Sequence, residues 1–220
     1  MKNIPFAKGI LVLAISSLLF FSGFGLSTFL LKNQVSETQN LQEDIKTDIL
    51  GLEVEQDLLL QNPCKLSSLN QLSSSLADME SKISLLDAKS NPKIVEDIRK
   101  LHIILQIKHW QLVQKSVAEC NSPYVPVFYF FSDEVCGDCE IQGLVLSSIK
   151  QKYPNVMIYN FNTDLDFSII NTMEQLYDVK GPVETPVIVI GSLTSVGLKD
   201  SATLLSLISQ ENRNFNRTVA

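Results

Sequence analysis

YVPVFYFFSDEVCGDC, residues 124–139, joins an apolar run to a pair of cysteines. The run, 124–131, is rich in Val, Phe and Tyr, which predicts a buried strand. Cys136 and Cys139 follow it with two residues between them. A CxxC pair at the junction of a strand and a helix is a dithiol that can close to a disulfide and reopen. This stretch therefore indicates thiol–disulfide chemistry.

The sequence after the cysteines alternates between helix and strand patterns. Helices are predicted over 141–153, 166–178 and 200–210, and strands over 155–161, 187–190 and 194–198. Lys199 or Asp200 is expected to be the N-cap of the last helix. Residues 121–212 are thus expected to form an α/β domain in the order βαβαββα.

The strand over 187–190 begins directly after Thr185-Pro186. This order, with CxxC after the first strand and Thr-Pro before the third, resembles the thioredoxin-like superfamily in its minimal form. The resemblance covers roughly residues 122–212. It implies that Cys136 attacks a substrate sulfur and that Cys139 resolves the mixed disulfide. It also implies a cis-proline at Pro186, with Thr185 presenting backbone groups to a cysteine-containing protein substrate; no cofactor or metal is predicted.

Four departures from the superfamily pattern are visible. Val135 stands where tryptophan usually precedes the first cysteine, and Gly137-Asp138 replaces Gly-Pro. Phe130 occupies the position of an expected buried acid, and four extra residues, 182–185, precede Pro186. These departures leave the redox partner and the direction of electron flow open.

Negative charge surrounds the cysteine pair. No Lys, Arg or His occurs between Lys115 and Lys150, whereas four acids crowd the motif: Asp133, Glu134, Asp138 and Glu140. Negative neighbours disfavour a thiolate, so we expect Glu134, Asp138 and Glu140 to make Cys136 less acidic than in strong oxidants. A less stabilised thiolate means a more stable disulfide, which favours reductase or isomerase work. The alternative is that these acids form an ordinary solvated loop.

Residues 33–120 carry helical patterns. Apolar residues recur at spacings of three and four, which is typical of amphipathic helices. The first stripe is Leu41, Ile45, Ile49 and Leu52; the second is Leu66, Leu69, Leu72, Leu76, Met79, Ile83 and Leu86; the third is Ile94, Ile98, Leu101, Leu105 and Leu112. Ser90-Asn91-Pro92 separates the second helix from the third.

The remaining cysteines fit a helical hairpin. Cys64 and Cys120 each lie 28 residues from Pro92, so an antiparallel fold-back would bring them together. Such a disulfide would close a long loop and add about 4 kcal/mol under the chain-entropy model. We interpret the pair as a structural disulfide; the alternative is a second redox pair that exchanges with Cys136 and Cys139.

Two histidines lie seven residues apart on the third helix and could share a face. His102 and His109 are interpreted as ordinary helix residues, and the alternative is a zinc site with Cys64 or Cys120. Trp110 is interpreted as interface or core packing.

Residues 9–31 contain no charge and would reach about 34 Å as a helix, enough to cross a bilayer core. Lys2 and Lys8 precede this run and acids follow it, so the positive-inside rule places the N-terminus in the cytoplasm. The run is longer than the core of a signal peptide, the alternative reading, so we expect an uncleaved single-pass anchor. The expected ranges are a cytoplasmic N-terminus 1–8, an anchor 9–31, a stalk helix 32–62, a helical hairpin 63–120, the α/β domain 121–212 and a tail 213–220.

The formal net charge of −6 argues against nucleic acid as a partner. Taken together, the patterns predict a membrane-tethered thiol–disulfide oxidoreductase on the outer face of a prokaryotic cytoplasmic membrane, served by a separate membrane redox partner. The alternative is a non-catalytic adaptor whose CxxC is a structural disulfide and whose helices bind a partner or self-associate.

Overall fold

The computed structural model describes the backbone of residues 4–87 and 91–211, and the side chains of 15–22, 40–86 and 91–211. The N-terminal part is helical: α1 spans Ile4–Leu60, α2 Leu66–Asp87 and α3 Pro92–Cys120. The predicted anchor and stalk, 9–31 and 32–62, fall mainly on α1, and the predicted tail 213–220 lies outside the described residues.

Within the predicted anchor, 9–31, side chains are described only for residues 15–22. Searched over what is described, no helix combines the length and the apolar character that crossing a bilayer requires.

The three helices pack against one another through apolar side chains. From α1, Ile45, Ile49 and Leu52 are buried, and six of the seven residues in the α2 stripe are buried with them. The expected stripes are wrong at Leu66 and Leu101, which are 39% and 40% exposed. The buried face of α3 is polar in its middle, where His102, Gln106 and His109 are buried.

The α/β domain has the predicted element order. Its elements are β1 Val125–Phe131, α4 Cys139–Lys152, β2 Val156–Asn162, α5 Ser168–Tyr177, β3 Val187–Ile190, β4 Leu193–Val196 and α6 Ser201–Glu211. A 3₁₀ turn over Gly181–Glu184, which the sequence patterns did not predict, contains most of the extra residues before Pro186. Asp200 is the N-cap of α6, because its Oδ1 accepts a hydrogen bond from the Thr203 N–H at 2.8 Å.

The four strands form a mixed sheet in the order β2-β1-β3-β4. β1 pairs with β2 in parallel, while the β1–β3 and β3–β4 pairs are antiparallel. A parallel pair needs a crossover connection, and α4 supplies it between β1 and β2. The sheet order and connections fit the thioredoxin-like fold that the sequence predicts.

Alternation along β1 divides the core into two layers. Val127 and Tyr129 pack with α4 and α6 on one face of the sheet. Phe128 and Phe130 point to the other face, into the core shared with α1, α2 and α3. Trp110 packs edge-to-face on Phe128 with ring centroids 5.2 Å apart, which confirms its predicted packing role.

Strand β2 is at the edge of the sheet, and the helical region covers it. The side-chain oxygen of Gln106, on α3, accepts a hydrogen bond from the Asn160 N–H at 2.8 Å. The Asn160 side-chain amide donates to the Glu80 carboxylate of α2 at 3.1 and 3.3 Å. The helical region is therefore attached to the sheet by polar contacts as well as by its apolar core.

Candidate active site

Cys136 and Cys139 are joined by a disulfide, with 5.5 Å between their Cα atoms. Cys136 lies in the turn that follows β1, and Cys139 is the first residue of α4. Cys139 is buried, at 5% exposure, whereas Cys136 is half-buried. A sulfur approaching from solvent therefore meets Cys136 before Cys139.

Tyr129 holds the start of α4 from beneath. Its hydroxyl donates a hydrogen bond to the Cys139 carbonyl at 2.6 Å. Burial, with a smaller contribution from the Asp133 carboxylate, raises the pKa of Tyr129 far above its ordinary value. The phenol is therefore protonated and a hydrogen-bond donor at neutral pH, and it fixes the backbone of the buried cysteine.

The turn that carries Cys136 is organised by Ser132 and Asp164. The Asp164 carboxylate accepts hydrogen bonds from the Ser132 hydroxyl and the Asp133 N–H, both at 2.7 Å, and from the Glu134 N–H at 3.1 Å. The Ser132 hydroxyl oxygen also accepts from the Val135 N–H at 3.0 Å. Asp164 thus binds the turn through several donors, although it is 32 positions from Ser132 in the chain.

The Thr185–Pro186 peptide bond is cis. Phe130 pairs with Val187 in the β1–β3 ladder, so Pro186 lies beside the end of β1 from which the cysteine turn leaves. The Thr185 N–H and hydroxyl both donate to the Pro182 carbonyl, at 3.3 and 2.7 Å. The Thr185 N–H is therefore already engaged within the loop, and a substrate chain pairing at Thr185 would use its carbonyl.

The acids predicted to tune Cys136 surround the turn without closing over it. Glu134, Asp138 and Glu140 are exposed. Asp138 is the N-cap of α4 but makes no side-chain capping bond, and Asp133 accepts a hydrogen bond from the Asn162 amide at 2.8 Å. Phe130 is fully buried at the position where the superfamily would have an acid. The expected effect of the acids on the Cys136 thiolate stays a prediction.

Cys64 and Cys120 form the second disulfide, with 5.4 Å between their Cα atoms. Cys120 ends α3, just before β1, whereas Cys136 follows the other end of β1. A seven-residue strand rises about 20 Å, so the two pairs lie at opposite ends of the sheet. Direct exchange between them within one molecule is not supported by this arrangement. The structural role of Cys64–Cys120 stays a prediction.

The two histidines lie in a buried polar network between α2, α3 and β2. His109 contacts the Ser73 hydroxyl and the Tyr159 hydroxyl, each at 2.9 Å. His102 contacts the Leu76 carbonyl at 3.2 Å and the Gln106 amide at 3.3 Å. Both nitrogens of each ring already have protein partners, so the rings offer no free ligand atom to the predicted zinc alternative.

Burial keeps both rings neutral. It lowers the pKa of His109 from 6.5 to about 4, and it lowers that of His102 as well. A neutral ring can donate from one nitrogen and accept at the other, which is what each set of contacts requires. The apolar stripe on α3 gave no sign of this network, because polar residues are ordinarily assigned to the exposed face of a helix.

No protein-family model matches the chain, and no curated protein sequence matches it. Among solved structures, the crystal structure of thioredoxin O2 from Arabidopsis thaliana in its oxidised state is similar, with 26% identity and a TM-score of 0.32. The match covers 43% of this chain and 80% of that one.

Proposed function

We propose that the chain is a membrane-tethered thiol–disulfide oxidoreductase that acts on cysteine-containing proteins outside the cytoplasm. The observation that carries the proposal is the asymmetry of the cysteine pair: a half-buried Cys136 is bonded to a buried Cys139 at the start of α4. A bond with one accessible sulfur can be opened and re-formed in an ordered sequence. The other disulfide lacks this arrangement, because Cys64 is exposed and Cys120 is half-buried, so neither of its members is buried.

The reaction proceeds by two exchanges. In the reduced protein the Cys136 thiolate attacks one sulfur of a substrate disulfide, so a mixed disulfide forms and the other substrate sulfur leaves as a thiolate that takes up a proton. The Cys139 thiolate then attacks Cys136, which releases the second substrate thiol. The substrate gains two electrons and two protons, and the protein ends as the Cys136–Cys139 disulfide.

The direction of transfer follows from the charges around Cys136. Glu134, Asp138 and Glu140 disfavour its thiolate, and the chain has no Lys, Arg or His between Lys115 and Lys150 to offset them. A protein whose thiolate is poorly stabilised holds its disulfide more firmly, so its dithiol is the better reductant. Reduction or isomerisation of substrate disulfides is therefore the favoured activity. Each reductive cycle needs an external dithiol, which we assign to a separate membrane redox partner.

The proposed membrane tether is inferred from the uncharged apolar run 9–31. Within it, the described side chains include large apolar groups that are more than half exposed: Ile15, Leu18, Leu19, Phe20 and Phe21. Large apolar residues exposed on several sides of a helix are favourable in lipid and unfavourable in water. Extraction of membranes with alkaline carbonate tests this part of the proposal, because an integral anchor stays in the pellet and a peripheral protein is released.

The central test is the reduction potential of Cys136–Cys139, measured on the full chain in detergent by thiol trapping in defined redox buffers. We expect a reversible couple below roughly −230 mV, the range of a reductase. A value near roughly −180 mV would indicate an isomerase, and a value well above it would indicate an oxidant and contradict the favoured direction. The double variant Cys64→Ser/Cys120→Ser serves as the control, because every thiol trapped in it belongs to the CxxC pair.

A different outcome would exclude catalysis altogether. If Cys136–Cys139 stays oxidised in every buffer that leaves the fold intact, the bond is structural. The chain would then be the membrane-anchored adaptor described as the alternative, with its helices as the binding surface.

A further inference from the structure

A groove of about 1250 Å³ opens beside the cysteine pair. α4 forms one wall along nearly its whole length and α2 contributes the other, while Ile158 and Asn160 of β2 also line the groove. Cys136 and Cys139 are at one end, and Lys150 of α4 and Glu80 of α2 are at the other. The groove is open along its length and larger than a typical small-molecule pocket, which suits a polypeptide segment.

The length of the groove sets how much chain it can hold. Cys139 and Lys150 are separated by eleven positions on α4, which is about 16 Å along the helix axis. An extended chain advances about 3.3 Å per residue, so about five residues fit between the cysteines and Lys150.

The two ends of the groove differ in charge. Asp133 and Glu140 line the end near the cysteines, whereas Lys150 is the one cation among the described residues that line the groove. Lys150 is half-buried, and desolvation lowers its pKa against the weaker attraction of Glu80. Among the described residues no carboxylate lies at ion-pair distance from its ammonium group, because the Glu80 oxygens are engaged with Asn160. An anion from outside would complete this end of the groove.

We propose that the groove binds an extended segment of the substrate polypeptide, with the reacting cysteine at Cys136 and an acidic side chain, about five residues away, paired with Lys150. This inference rests on the proposed function and names its substrate class. The acids near Cys136 add a second preference, for basic residues close to the substrate cysteine. The segment reaches α2, so the helical region takes part in substrate selection.

The test uses synthetic peptides and the reduced full-length protein in detergent. Each peptide carries one central cysteine as a mixed disulfide with a nitrothiobenzoate group, whose release is coloured. The first peptide has aspartate about five residues from the cysteine on both sides, so that it is indifferent to chain direction. The second has lysine at those positions. The third has the composition of the first, with the aspartates moved next to the cysteine.

We expect kcat/KM for the first peptide to exceed that of the other two by about tenfold, since the half-buried Lys150 gains a partner. In Lys150→Gln the preference should fall below about twofold, and in Lys150→Glu the lysine peptide should become the better substrate. Lys152→Gln is the matched control, because Lys152 is exposed on the same helix and its replacement removes the same charge. That variant should keep the wild-type preference.

Two results would overturn the inference and are distinguishable from each other. Equal rates for the three peptides, or a preference that survives Lys150→Gln, would show that the groove does not select the substrate while leaving the oxidoreductase proposal intact. Failure of the reduced wild-type protein to release the coloured thiol from any peptide, or to react with a small aromatic disulfide, would reject the oxidoreductase proposal itself and this inference with it.

Discussion

The two disulfides join Cα atoms at almost the same distance but close loops of very different length. Their Cα separations are 5.4 and 5.5 Å, but Cys64–Cys120 spans 56 positions of the chain and Cys136–Cys139 spans 3. The first joins the start of α2 to the end of α3, and the second closes a single turn after β1. The more exposed cysteine is Cys64 in the first bond, just before α2, and Cys136 in the second, the residue expected to attack.

Loop length is what separates the expected roles of the two bonds. Under the chain-entropy model, a loop the size of the one closed by Cys64–Cys120 stabilises the fold by about 4 kcal/mol, and one the size of the CxxC loop by about 2 kcal/mol. Opening the short bond therefore costs the fold less than opening the long one. The Cα separations of the two bonds therefore do not distinguish the expected structural disulfide from the expected reactive one, whereas the lengths of the loops they close do.

The largest expected effect is on the rate of disulfide reduction, which tests whether the CxxC bond alone takes part in the reaction. Cys136→Ser removes the attacking sulfur, so we expect reduction of a peptide disulfide to slow by about a thousandfold or more. Cys139→Ser should instead accumulate the mixed disulfide, visible as a mass increase of the protein. The double variant Cys64→Ser/Cys120→Ser should stay within about threefold of the wild-type rate. An equal loss in that double variant would mean that both bonds belong to the reaction.

The next effect concerns stability. Removal of Cys64–Cys120 by the same double serine variant should lower the free energy of unfolding by about 4 kcal/mol, whereas Cys136→Ser/Cys139→Ser should lower it by about 2 kcal/mol. Urea unfolding of both variants at neutral pH gives the two values. Equal losses, or a larger loss from the CxxC variant, would contradict the assignment of the long bond as the stabilising one.

The third effect is a pH dependence of the free energy of unfolding, which we assign to the buried histidines of α3. His109 stays neutral in the folded protein down to about pH 4, whereas in the unfolded chain it takes up a proton below about 6.5. The stability that the neutral His109 ring contributes is therefore fully present above pH 6.5. It is lost as the pH falls towards 4, which lowers the free energy of unfolding by about 3 kcal/mol. Unfolding measured across this range should show it, with His102 adding to the same slope.

His109→Gln is the variant that sharpens this assignment. It should flatten the dependence of the unfolding free energy on pH, whatever its effect on absolute stability. The rate at which Cys136 reacts with a small disulfide at pH 7 should not change, because the hydrogen-bond partners of His109 are Ser73 and Tyr159, neither of which belongs to the cysteine turn. A pH dependence as steep as that of the wild type would place the responsible groups elsewhere.

Much of the redox domain could be predicted because its signals are local. The strand before Cys136, the Thr-Pro pair and the alternation of helices and strands each occupy a short window of sequence. Cys64–Cys120 could be predicted because each cysteine lies 28 residues from Pro92, and an antiparallel hairpin brings such positions together. The ends of the elements differ from prediction by a few residues, as at α4, which begins at Cys139 instead of residue 141.

What could not be predicted depends on contacts between distant parts of the chain. Asp164 and Ser132 meet only once the parallel strands β1 and β2 are paired. The contact between Gln106 and β2 requires α3 to lie along the edge of the sheet, and periodicity alone does not say which element covers a helix face. The groove at Lys150 has the same origin, since α2 supplies one of its walls.

The contact between Gln106 and Asn160 also bears on how the protein behaves at high concentration. An edge strand with unpaired N–H and C=O groups is a template on which strands of other molecules can add, the route by which many β proteins aggregate. Gln106 of α3 occupies the N–H of Asn160, so a strand from another molecule cannot pair at that position of β2 without displacing the helical region. The helical region thus interrupts the edge of the sheet at a point where an α/β domain without it would present a free N–H.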